Sequence, residues 1–90
     1  MQIIYEKQFK EALLDISQFI ARDKKSAAVD FKKRLKLAIE YLKENSKMYK
    51  QSRYFEDDDY RDMTFKGYTI IYKVEDKTIK ILDILKWIDR

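Results

Sequence analysis

The sequence predicts an α+β domain: an N-terminal strand and an antiparallel helical hairpin packed on a mainly antiparallel four-stranded sheet. Three observations predict it. Apolar residues recur at three-and-four spacing through two consecutive segments between Phe9 and Leu42, and the period switches to two after Tyr60. The chain also carries one glycine, Gly67, and no proline, so little interrupts either pattern. At 90 residues it makes a single domain, 1–90, and a chain of this size buries roughly 60–65% of its unfolded surface.

Gln2 to Tyr5 is a short apolar run that reads as an edge strand. Phe9, Ala12, Leu13, Ile16, Phe19 and Ile20 then cover an arc of roughly 120° on a helical wheel, which is one amphipathic helix. Asp23 is placed to cap the next helix, with Ser26 as the competing cap. That helix runs from about Lys25 to Glu44, with Ala28, Phe31, Leu35, Ala38 and Leu42 on one stripe, and Asn45 and Ser46 mark its exit. Only Arg22 to Lys24 separate the two periodic segments, so the helices should fold back on each other.

Met48 to Asp59 has no period and reads as a loop held down by Tyr49, Tyr54 and Phe55. Strands follow at Tyr60 to Phe65, Tyr68 to Glu75 and Thr78 to Leu85, joined by Lys66-Gly67 and Asp76-Lys77. Gly67 supplies the positive φ that a tight hairpin turn demands. Tyr68, Ile70, Tyr72 and Val74 share one face of the middle strand. In the last strand the alternation breaks at Leu82, which means either burial on both faces or a bulge that shifts the phase.

The absence of cysteine excludes disulfides and thiolate metal sites, and the absence of histidine removes the commonest metal ligand and general base. No stretch approaches about 18 apolar residues, and Glu6 and Lys7 follow the first apolar run directly, so neither a membrane span nor a signal peptide is expected. A cytoplasmic location is the default.

The net charge of +4 is unevenly placed. From Lys24 to Arg53 ten Lys/Arg face only Asp30, Glu40 and Glu44, while from Glu56 to Asp62 five acids meet only Arg61. Such polarity favours contact with something anionic, either nucleic acid or an acidic protein segment. Lys25, Lys32, Lys36 and Lys43 fall within roughly 40° on the second helix's wheel and make a candidate basic stripe. The competing reading lays their stems beside Val29 and Ile39 with the ammonium groups in water. Asp57, Asp58 and Asp59 lack the glycine of a calcium loop and read as a solvated acidic loop, so no metal is expected. Tyr49, Tyr54, Phe55, Tyr60, Tyr68 and Tyr72 read as core and loop packing in preference to a base-stacking platform.

The stretches "DISQFIARD", "AAVDFKKRL" and "AIEYL", followed by "YRDM", "GYTIIYKVED" and "IKILDIL", resemble the RelE/ParE superfamily of type II toxins over nearly the whole chain. The helices and the "GYTIIYKVED" hairpin are more similar to ParE-like members. RelE-like members cut mRNA in the ribosome, whereas ParE-like members inhibit DNA gyrase. Several RelE-like nucleases carry a catalytic Arg where this chain has Thr69, and some carry a His near the C-terminus, where this chain has Trp87 or Ile88.

The resemblance implies a growth-inhibiting toxin of a toxin-antitoxin system, of the kind used in plasmid stabilization, with gyrase as the favoured target and no cofactor. A RelE-like mRNA endoribonuclease is the alternative, and a degenerate member that binds only antitoxin or nucleic acid is a third reading. It also implies a cognate antitoxin whose C-terminal segment wraps the toxin as helix and strand, and a homodimer when the toxin is free. Cleavage would need cations at the phosphate, for which Arg61, Lys66 and Arg90 are the candidates, with Trp87 stacking on a base. The alternative for Arg61 is an ion pair with a nearby acid. For a binding protein, Arg61, Lys86, Trp87 and Arg90 join Lys25, Lys32, Lys36 and Lys43 as the expected contacts. The helices should cover one sheet face and leave the other free for a partner.

Overall fold

A computed structural model describes residues 1–86, so the candidate contacts Trp87 and Arg90 lie outside the described residues. Strand β1 spans Gln2–Tyr5, helix α1 Lys7–Asp23, helix α2 Lys25–Glu40, and a single 3-10 turn Tyr41–Lys43 follows. Strands β2 (Tyr60–Phe65), β3 (Tyr68–Glu75) and β4 (Thr78–Lys86) complete a sheet of order β1-β4-β3-β2. The two hairpins make β2, β3 and β4 antiparallel, whereas β1 joins β4 in parallel. A parallel partner requires a long crossover, and the helical pair together with β2 and β3 provides it.

The helices meet at one residue instead of the three expected. Lys24 is extended (φ −158°, ψ 116°), its N–H donates to the Ile20 carbonyl at 3.1 Å, and its own carbonyl accepts from Ala27. Asp23 is therefore the last residue of α1, and neither it nor Ser26 caps α2, whose first turn has no side-chain cap. α1 begins at Lys7, two residues before the first apolar contact at Phe9. α2 stops at Glu40, short of the expected Glu44. Three-residue bonds from the N–H groups of Glu44 and Asn45 tighten the chain, and the Asn45 side-chain amide donates to the Tyr41 carbonyl at 3.1 Å.

The phase break in the last strand is a bulge. Ile71 pairs with Asp83 but Tyr72 pairs with Ile81, so Leu82 is an extra residue with no partner on β3. Ile79, Ile81 and Ile84 all join the core as a result. Phe9 from α1, Phe31, Leu35 and Ile39 from α2 and Leu42 from the 3-10 turn meet Met63, Ile70, Tyr72 and Val74 there. Phe31 sets its edge against both Phe65 (5.6 Å) and Tyr68 (5.4 Å), which fixes α2 over the β2–β3 hairpin. In that turn Lys66 (φ 47°) as well as Gly67 (φ 84°) lies in the left-handed region, the pattern of a type I′ turn.

The sheet face away from the helices is closed at its centre, where Thr69 is 4% and Ile71 5% exposed. Towards β2 it is overlaid by Phe55 stacked on Tyr60 (centroids 4.0 Å apart, planes at 17°), with the Lys73 ammonium 5.1 Å from the Tyr60 ring. Lys80 and Glu75 pair at 3.0 Å on neighbouring strands. The expected free apolar face is thus not found, because Phe55 of the 46–59 loop, the buried Thr69 and Ile71 and the Lys80–Glu75 pair take up much of it. What the sheet leaves open is the outer edge of β1. The N–H groups of Gln2 and Glu6 donate to Lys77 and Ile81 on the β4 side, so the intervening backbone groups of Ile3 and Tyr5 point outward.

Candidate functional site

Beside that open edge, β1, α1 and α2 border a groove of about 340 Å³. Tyr5, Phe9, Leu13, Leu35 and Ile39 make its floor, and Lys10, Lys32 and Lys36 stand along its rim. Local patterning explains the arrangement. Lys10 lies one turn before Leu13, and Lys32 and Lys36 flank Leu35 on α2, so each cation borders the apolar stripe of its helix. Tyr5 stacks on Phe9 with centroids 5.7 Å apart. Its hydroxyl is buried without a hydrogen-bond partner, and burial, reinforced by the Glu40 carboxylate, raises its pKa. The three ammonium groups are exposed and enter no ion pair among the described residues. An apolar floor under unpaired cations suits an amphipathic acidic chain segment.

The expected basic stripe is only partly assembled here. Lys32 and Lys36 line the groove, Lys25 is exposed at the start of α2 outside it, and Lys43 lies in the 3-10 turn, paired with Glu40 at 3.1 Å. The shorter α2 is the cause, since the wheel placing Lys43 beside Lys36 assumes a continuous helix. Lys10, Tyr5, Phe9 and Leu13 were missed as partners. Phe9 and Leu13 are legible on the apolar face of the first helix, whereas Tyr5 and Lys10 join the groove only where β1, α1 and α2 meet.

Arg61 is turned to another use. Its Nη1 donates to the carbonyls of Tyr49 (2.6 Å) and Lys47 (3.3 Å), and its Nε is buried without a partner. No ion pair of Arg61 with an acid occurs among the described residues. Around it the loop is stitched to β2. Ser52 N–H donates to the Tyr60 carbonyl (2.7 Å), Asp62 N–H donates to the Lys50 carbonyl (3.2 Å), and the Asp62 carboxylate accepts from Arg53 N–H (3.1 Å). The Tyr72 hydroxyl donates to the Ser46 carbonyl at 2.8 Å. Arg61 and Tyr72 together anchor the segment that leaves α2, because backbone carbonyls without a strand partner need donors from side chains.

Arg61→Ala should therefore lower stability by about 1–2 kcal/mol, given that the side chain is half-buried and partly screened. The check is a lower urea midpoint with an unchanged m value. A residue serving only as a target contact would leave the midpoint where it was.

Burial pushes the Tyr72 phenol up to about 12 from its ordinary 10.0, against an opposing pull from Arg61. Below the unfolded value both states hold the neutral phenol. Between the two values only the unfolded chain ionises, so stability should fall as pH rises from 10.0 to about 12. Urea melts stepped through that window should show a steeper loss for the native chain than for Tyr72→Phe, and equal slopes would disprove the linkage.

Lys66 and Lys86 are exposed. The Lys66 ammonium lies 5.8 Å from the Phe65 ring centroid, and that of Lys86 lies 6.0 Å from that of Phe19. Thr69 is buried. Asp57, Asp58 and Asp59 are exposed, with carboxylate oxygens within 4.8 Å of one another, and Asp57 accepts from the Asp59 N–H at 2.9 Å. Among the described residues no helix is long and apolar enough to cross a membrane.

No curated protein matches the sequence. A chain of a solved structure, the chromosomal ParDE TA system from P. aeruginosa, is similar in fold, with a TM-score of 0.79 and 16% identity over 98% of this chain and 97% of that one. Residues 3–86 match the family of the ParE toxin of the type II toxin-antitoxin system, parDE. With all but the first residue of β1, the helical pair and the hairpin sheet inside that match, the chain belongs to the ParE toxin family of type II toxin-antitoxin systems.

Proposed function

We propose that this chain is a growth-arresting toxin that acts in the cytoplasm by binding DNA gyrase, and that its cognate antitoxin neutralises it at the α1–α2 groove. The observation that carries the antitoxin half is the groove itself. Its apolar floor takes the hydrophobic side of an incoming helix and its three exposed lysines take the acidic side, while the outward backbone groups of β1 accept an added strand alongside. Membership of the ParE toxin family supports the toxin role. Binding in preference to catalysis is supported by Arg61, whose Nη1 is given to two loop carbonyls, and by Thr69, buried where RelE-like members have a catalytic cation.

The test adds purified protein to a gyrase supercoiling reaction and, separately, to a translation reaction fed with pre-made mRNA. Supercoiling should be lost and then restored by the antitoxin, with the mRNA left intact. Ribosome-dependent cuts would move the chain to the nuclease class. No effect in either reaction would leave only the binding role.

A further inference from the structure

We infer that the tip of the molecule formed by the β2–β3 turn, the end of β4 and the junction of the two helices binds single-stranded nucleic acid by base stacking. Phe19 is 61% exposed, more than any other phenylalanine of the chain. It separates two hollows. One is lined by Asp15, Ile16, Phe19, Tyr68 and Lys86, and the other by Phe19, Ile20, Arg22, Asp23 and Ala27. Tyr68 stands opposite Phe65 across the hairpin and opposite Lys86 on β4, and it lines the first hollow with Phe19. Tyr68 and Phe65 are half-buried against Phe31, so each offers only part of its ring beside the exposed Phe19.

Cations accompany these rings. Lys86 and Lys66 stand 6.0 Å and 5.8 Å from the centroids of Phe19 and Phe65, at the outer limit of a cation–π contact, where a base or phosphate could displace them. Arg22, Lys24 and Lys25 at the helix junction bring the cations of the tip to five, against Asp15 and Asp23, and none of the five forms an ion pair among the described residues.

The acidic stretch is held away from this tip. The Asp59 carbonyl accepts from Val74 N–H, near the far end of β3 from Tyr68, a separation of roughly 20 Å along the strand. A phosphate chain can thus track the cations while successive bases meet ring faces, which is how strands are held without sequence preference. A peptide carrying carboxylates alone would use the cations but not the exposed Phe19 ring or the open part of Tyr68 beside it.

Fluorescence anisotropy of a labelled oligothymidylate of about 20 nucleotides, at about 50 mM salt, tests this. The full chain should bind, more weakly as salt rises. Phe19→Ala should weaken binding about tenfold, the value of one lost stacking contact. The pair Lys66→Glu and Lys86→Glu should weaken it at least as much, while Lys32→Glu with Lys36→Glu in the separate groove should change it less. All these side chains are exposed, and an unchanged thermal melt confirms that each variant folds. Absence of binding, equal binding by Phe19→Ala, or displacement of the oligonucleotide by polyglutamate as readily as by unlabelled oligothymidylate would overturn the inference. The last outcome would make the tip a general polyanion contact for an acidic protein.

Discussion

Tyr72→Ala should lower the free energy of unfolding by about 3–5 kcal/mol, the range for deleting a large buried ring. Tyr72 is 0% exposed at the centre of β3, pairing with Arg61 on one side and Ile81 on the other, beside the bulge at Leu82. The substitution empties the middle of the core and leaves the Ser46 carbonyl without its donor. A domain of this size has a total stability of only about 5–13 kcal/mol, so the substitution should remove a large fraction of it. Tyr72→Phe separates the two contributions. It keeps the ring and loses the hydrogen bond, at a cost of about 1 kcal/mol. Chemical denaturation of the two variants beside the native chain measures both, and a small loss for Tyr72→Ala would mean that the core collapses around the gap.

How much of this was legible in the sequence depended on the range of the forces involved. The hairpin turns were legible because the twist of paired strands favours a few turn types, and Gly67 names one of them. The bulge was legible as a broken alternation at Leu82, although only the pairing of Tyr72 with Ile81 decided between a bulge and two buried faces. Helix ends were less legible. Asp23 has the chemistry of a cap, yet a one-residue connection places it inside α1, because packing of Phe9 and Phe31 into one core outweighs a capping bond of about 1 kcal/mol.

The site was legible by halves for the same reason. Lys32 and Lys36 could be found from one helix's wheel, whereas Lys10 and Tyr5 become their neighbours only when three elements meet. Arg61 stood out as a lone cation in an acidic stretch. Its engagement with the Lys47 and Tyr49 carbonyls depends on where an aperiodic loop returns, and no local pattern carries that.

Reversing Lys10, Lys32 and Lys36 together to Glu should weaken the antitoxin complex on the order of a hundredfold. The three surround an apolar floor, so an acidic segment seated there meets them in a partly water-excluded setting where like charges repel strongly. Their ammonium groups are exposed and unpaired in the described chain, so the reversal should leave folding nearly untouched, and the thermal melt provides the control. Salt dependence separates charge from shape. Affinity of the native chain should fall as the screening length shortens from about 10 Å at 0.1 M to about 3 Å at 1 M. The neutral triple Gln variant should show a flatter response, because the apolar floor and the β1 edge remain while the charge is gone. Titration calorimetry of toxin variants against the purified antitoxin reads all three quantities. If the Glu variant binds as tightly as the native chain at low salt, the antitoxin lies elsewhere on the surface, and the groove is only the seam where two helices part.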